Sequence, residues 1–194
     1  QNFALSASYQ VSKKLKLDSR ITYYRRDSDN LPTIGYGQSS PTYSLLWSSN
    51  HIDIDWMRNP WLAGQENVQQ DNRLNRNFDN PYFIVNEHLN TLDRDRIYGN
   101  ASATYSFDQY LSLTVRGGMD YSSEFRTSRK PMSSTQFANG YYREQTINNT
   151  ELNGDFLLKY DRQFGDIGVT GNFGGNTMQR EYKQVSLLTK KLLV

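Results

Sequence analysis

No cysteine occurs among the 194 residues. A disulfide framework, a thiolate metal site and a cysteine nucleophile are therefore excluded. Long apolar runs are missing as well, and none approaches the ~18–20 residues of a membrane-crossing helix. That excludes a helical span but not a transmembrane barrel, whose strands alternate and look hydrophilic to a window average. An excess of charge of one sign is also lacking. With 22 basic against 20 acidic residues and a net charge of +2, no field arises that would draw nucleic acid or an anionic membrane surface. Catalytic signatures do not appear either. There is no G-x-S-x-G, no H-E-x-x-H and no carboxylate pair placed for a fixed pocket, so neither an enzyme nor a cofactor is predicted. No signal peptide is recognisable. The chain opens in mid-pattern on "QNFALSASYQV" and closes on "LLTKKLLV", so both ends read as cut.

What the sequence does contain is alternation. From Ile97 the odd positions run Gly99, Ala101, Ala103, Tyr105 and Phe107. After Asp108-Gln109-Tyr110 they resume as Leu111, Leu113, Val115, Gly117, Met119, Tyr121 and Phe125, with Ser123 the one exception. The even positions between them are polar, among them Arg96, Asn100, Ser102, Thr104, Ser112, Thr114, Arg116, Asp120 and Glu124. A period of two places the two sets on opposite faces of a strand, whereas a helix would mix them. The same pattern opens the chain, with Phe3, Leu5, Ala7, Tyr9 and Val11, a break at 12–14, then Leu15, Leu17, Ile21 and Tyr23. It returns as Leu152, Gly154, Phe156, Leu158 and Tyr160, turns through 161–166, and comes back on Ile167, Val169, Gly171 and Phe173.

Six antiparallel strands in three hairpins are thus predicted, at about 2–26, 96–125 and 146–178, each strand of roughly 9 to 15 residues. Three connections are tight, at about 12–14, 108–110 and 161–166. Two are long, at about 27–95 and 126–145. Long structureless connections argue against a compact soluble domain, but short turns at one end and long loops at the other are the habit of outer-membrane barrels. Tyr9, Tyr105, Phe107, Tyr110, Tyr160 and Phe164 gather near the tight turns, and Tyr23, Tyr24, Tyr121 and Phe125 near the far ends. Two such girdles are what anchoring at membrane interfaces requires. The fold class predicted is all-β, an antiparallel transmembrane barrel. Because the smallest single-chain barrels have about eight strands, the six belong to a larger one. The competing reading is a soluble β-sandwich, whose strands also alternate.

Several stretches resemble one family. "NPYFIVNEHLNTLDRDRIYGNASATYSF" (80–107), "LSLTVRGGMDYS" (111–122) and "NFGGN" (172–176) are similar to the barrel of SusC/RagA-type TonB-dependent transporters of Bacteroidetes outer membranes. The resemblance rests on Asn80-Pro81-Tyr82, Asn86-Glu87, Arg96, Gly99, Tyr105, Phe107, Leu111, Leu113, Arg116, Gly118, Asp120 and Gly174-Gly175-Asn176. It implies import of oligosaccharides or peptides across the outer membrane, driven by TonB and assisted by a SusD-like surface lipoprotein. The family's plug, TonB box and carboxypeptidase-like extension are not in this sequence. Two further readings stand beside import: a barrel serving as a structural subunit of an outer-membrane assembly, and a soluble β-sandwich carbohydrate-binding module.

Candidate ligand contacts are few. The long connection holds all three tryptophans, Trp47, Trp56 and Trp61, whose faces could stack on a ligand or pack the loop against itself. "HIDIDW" (51–56) reads as a short strand with His51, Asp53 and Asp55 on one face. Ligands at alternate positions diverge, so a solvated face is favoured over a metal or sugar-hydroxyl site. On the polar face Arg20, Arg116, Asp120, Glu124, Asp155 and Lys159 would line a lumen, and Arg116 and Asp120 are the candidates among them. Gly165, Gly168, Gly171 and Gly174 contain a G-x-x-G without the helix a dinucleotide site needs. They read as easing curvature or close approach. The sequons at 100–102 and 148–150 carry no meaning in a bacterial barrel.

Overall fold

A computed structural model describes residues 1–73 and 76–191. Six strands are present: β1 (Asn2–Gln10), β2 (Leu15–Ser28), β3 (Leu89–Ser106), β4 (Leu111–Lys130), β5 (Tyr141–Phe164) and β6 (Ile167–Thr189). They form one sheet in the order β1-β2-β3-β4-β5-β6, so every strand lies beside its neighbour in sequence. The sheet is open. Among the described residues, β1 and β6 each pair on one side only.

The tight turns follow from local chemistry. Ser12 Oγ accepts from the backbone N–H groups of Lys14 and Leu15, each at 3.2 Å. Asp108 Oδ1 does the same for Tyr110 at 2.7 Å and Leu111 at 2.8 Å. These are side-chain-closed turns of the kind Ser and Asp favour. The third turn is shorter than the 161–166 the sequence predicts. Pairing continues to Phe164, and Gly165 supplies the positive φ (59°) that lets two residues reverse the chain.

The strands are also longer than predicted, and this corrects both long connections. The first spans 29–88 rather than 27–95, the second 131–140 rather than 126–145, and β5 and β6 reach 24 and 23 residues. The reason lies on the outward face. Beyond the apolar positions it turns polar, with Thr91, Asp93 and Asp95 on β3 and Thr127 and Arg129 on β4. Alternation then disappears while pairing persists, as the 2.6 Å contact between Thr91 Oγ1 and Thr127 Oγ1 shows. The first connection has structure of its own: α1 (Pro41–Leu46), a 3-10 turn (Ile54–Met57) and α2 (Pro81–Glu87). Both helices start alike. Ser40 and Asn80 cap them, accepting from the N–H groups of Tyr43 and Tyr82, and a proline occupies the first helical position.

The chain divides into two compact units. The first comprises 1–26, 94–123 and 147–183. Its β1–β2 register pairs Phe3 with Tyr23, Leu5 with Ile21 and Tyr9 with Leu17, so the apolar positions share a face. On its polar face Arg96 pairs through both donors with Asp120, Nε to Oδ1 at 2.9 Å, and Arg116 Nε meets Asp155 Oδ1 at 2.7 Å. Gly99 allows β3 to approach β2 closely, since a Cβ there would collide with the carbonyl oxygen of Arg20. The second unit comprises 27–93, 124–146 and the chain from 184. Its small core of Met57, Phe83, Ile84 and Leu92 is surrounded by buried polar side chains, among them Gln70, Asp79, Asn80, His88, Lys130 and Ser134.

Along β4, burial runs opposite to that of a water-soluble protein. On β4 the apolar Val115, Met119, Tyr121 and Phe125 are 39–49% exposed, while Ser122, Glu124, Ser128 and Lys130 are at most 8% exposed. Phe3, Leu5, Tyr9, Val169 and Phe173 are exposed too, on strands β1 and β6 that are exposed along both faces, and so is Phe156 on β5. No helix among the described residues is long and apolar enough to cross a membrane.

Candidate functional site

The three tryptophans sit in three different settings. Trp61 is turned inward, its ring edge-on to the fully buried Phe83 at 5.2 Å, and it bridges to Gln70. Trp56 is 64% exposed. With Met57, Asp71 and Arg73 it lines a cleft of about 340 Å³. There Arg73 clamps Asp71 through Nε and Nη2 at 2.8 and 2.7 Å, which holds the Asp71 carboxyl below its usual range.

Trp47 belongs to an aromatic cleft of about 510 Å³ lined by Ile34, Gly35, Tyr36, Thr42, Tyr43, Leu46 and Trp47. Tyr43 stands at its centre, 4.5 Å from Tyr36, 6.2 Å from Trp47 and 5.5 Å from Phe78 by ring centroids. Tyr36 is 89% exposed and Trp47 57%. The capped start of α1 fixes this cluster, because Tyr43 and Trp47 are one helical turn apart and fall on one face. Aromatic rings exposed together on an ordered scaffold are suited to stacking on a flat or weakly polar ligand or partner surface. Tyr36, Tyr43 and Ile34 are not found by searching for tryptophan. A signal was nonetheless present: residues 31–50 contain no charged side chain, in a chain that is 22% charged.

The other candidates are placed as follows. Arg116 and Asp120 do not meet each other. Each closes an ion pair to a neighbouring strand, with Asp155 and Arg96 respectively, so neither presents a lone charge to a ligand. The segment 51–56 is not a strand. Asp53 Oδ1 accepts from the Asp55 N–H at 3.0 Å and caps a 3-10 turn, which removes the shared face predicted for His51, Asp53 and Asp55. Asp55 instead pairs with Arg58 at 2.7 Å. Among the described residues no three His, Cys, Asp or Glu side chains gather in a way that could hold a metal ion.

No family model matches the chain, and a search of curated proteins finds no match to it.

Proposed function

We propose that this chain is part of the wall and the external loops of an outer-membrane transport barrel of the SusC/RagA type, importing oligosaccharides or peptides. The observation that carries the reading is the inverted burial of β4, with large apolar side chains exposed on the other strands as well. Full burial of a large apolar side chain is worth roughly 1.5–3 kcal/mol, so each one left about half in water forgoes a good part of that, and the outward face carries many of them. In lipid that face is in its proper solvent, and the buried serines and charges of the opposite face meet protein and water in the lumen.

Geometry agrees with this. The apolar runs at 97–107 on β3 and 111–121 on β4 are each eleven residues long. At ~3.3 Å per residue and a tilt of ~35–45° they rise about 25–30 Å, the height of a barrel's apolar band. The unpaired edges of β1 and β6 could not be left bare in lipid, since each unsatisfied backbone group there costs several kcal/mol. Further strands must close the barrel. Import would then draw on TonB and a SusD-like surface lipoprotein, and the aromatic cleft around Tyr43 and Trp47 is the place on the external loops for a first contact.

Extraction of native membranes in detergent, followed by mass measurement of the polypeptide carrying these peptides, tests the proposal. A membrane-bound chain several times the 22.5 kDa of this sequence is the expected result. A species near that mass, recovered from the aqueous fraction without detergent, would overturn it.

A further inference from the structure

Asp79 is fully buried and collects donors from distant parts of the chain. Gln70 Nε2 donates to its Oδ1 at 2.7 Å, the Thr135 N–H to the same oxygen at 2.6 Å, and Ser134 Oγ to Oδ2 at 2.7 Å. Gln70 reaches further. Its N–H donates to Ser133 Oγ at 2.8 Å, and its Nε2 also contacts the Ser133 carbonyl oxygen. These bonds join the 29–88 connection to the 131–140 connection within the second unit.

One side of this network is titratable. His88 Nε2 lies 3.5 Å from Asp79 Oδ2, and its Nδ1 lies 3.4 Å from Lys130 Nζ. The His88 and Asp79 side chains are 1% and 0% exposed, and Lys130 is 5% exposed. Phe83 closes the ring's edge at 5.3 Å, and Arg143 is the other charge acting on Lys130. An ammonium group donates only, so its contact with Nδ1 needs the lone pair there and places the imidazole proton on Nε2, toward Asp79. Protonating Nδ1 would aim an N–H at that ammonium. Two cations and one carboxylate would then share a buried site, an arrangement costly to maintain. Burial, and then the Lys130 charge, accordingly lower the His88 pKa to about 4, against the opposing pull of Asp79.

We propose that Asp79, His88 and Lys130 form an acid-released latch that holds the 131–140 connection onto the 29–88 connection. At neutral pH the imidazole is uncharged and the latch is shut. As pH falls from about 6.5 toward 4, the opened form takes up the proton more readily than the closed form, so closure weakens. Between pH 7 and about 4.5 the opening equilibrium should rise on the order of 50-fold. The latch does not depend on what meets the apolar face of the sheet.

Hydrogen–deuterium exchange on the full-length chain at these two pH values, corrected for intrinsic rates, tests it. Protection should fall in 57–73, 76–88 and 131–137 while amides of 97–107 and 111–121 stay protected. Lys130→Met, which leaves His88 free to pair with Asp79 when protonated, should diminish that acid response measurably, while the part due to burial of the imidazole remains. Unchanged loop protection in the parent chain, a uniform loss that includes the strands, or an undiminished acid response in Lys130→Met would each overturn the latch.

Discussion

At the scale of single residues, the tryptophans illustrate how one residue type divides between packing and exposure. The Trp61 ring rests on Phe83, whereas most of the Trp47 ring is in solvent. Trp61→Ala is expected to destabilise the loop unit by about 2–3 kcal/mol, somewhat below the cost of truncating a fully buried aromatic. Trp47→Ala should lie within about 0.5 kcal/mol of the parent. Equal losses of local protection by hydrogen exchange in the two variants would contradict this assignment. None of this was legible in the residue names. The sequence marks three aromatic side chains in a long connection, and what each one touches is decided by contacts many residues away. Asp79 is the stronger case. Its donors come from positions 70, 134 and 135, and nothing local to "FDNPYF" announces them.

At the scale of elements, the hairpins were legible because two local signals coincide: apolar residues at every second position, and Ser12 or Asp108 at the reversal. The far segments of β3 and β4 were not, because there the outward face turns polar and period two loses its contrast. The short helices left only their caps, Ser40-Pro41 and Asn80-Pro81, and six or seven residues are too few for a 3.6-residue period to register. The segment 51–56 alternates like a strand but is claimed by the Asp53 cap. Facing can be tested directly on β4. Val115→Arg would bring a charge into the apolar band at a cost of roughly 2–4 kcal/mol, while Ser112→Arg would point to the polar face. Impaired membrane incorporation of the first and normal incorporation of the second are expected. Comparable incorporation of both would contradict the lipid assignment.

At the scale of the whole molecule, the six-stranded antiparallel sheet follows from the sequence, and its closure into a barrel remains the proposal that explains it. In the proposed barrel, the open edges of β1 and β6 would meet further strands, the exposed apolar face would meet lipid and the polar face would meet the lumen. The absence of cysteine makes this accessible to experiment, since a single introduced thiol can carry a spin label without competition within this sequence. The most direct measurement is therefore a label walk along β4 in reconstituted membranes, comparing collision with oxygen and with an aqueous nickel complex. Labels at Leu113, Val115 and Met119 should favour oxygen, and labels at Ser112, Thr114 and Arg116 should favour nickel, alternating with a period of two. Odd positions that favour the aqueous reagent, or are shielded from both reagents, would contradict the account.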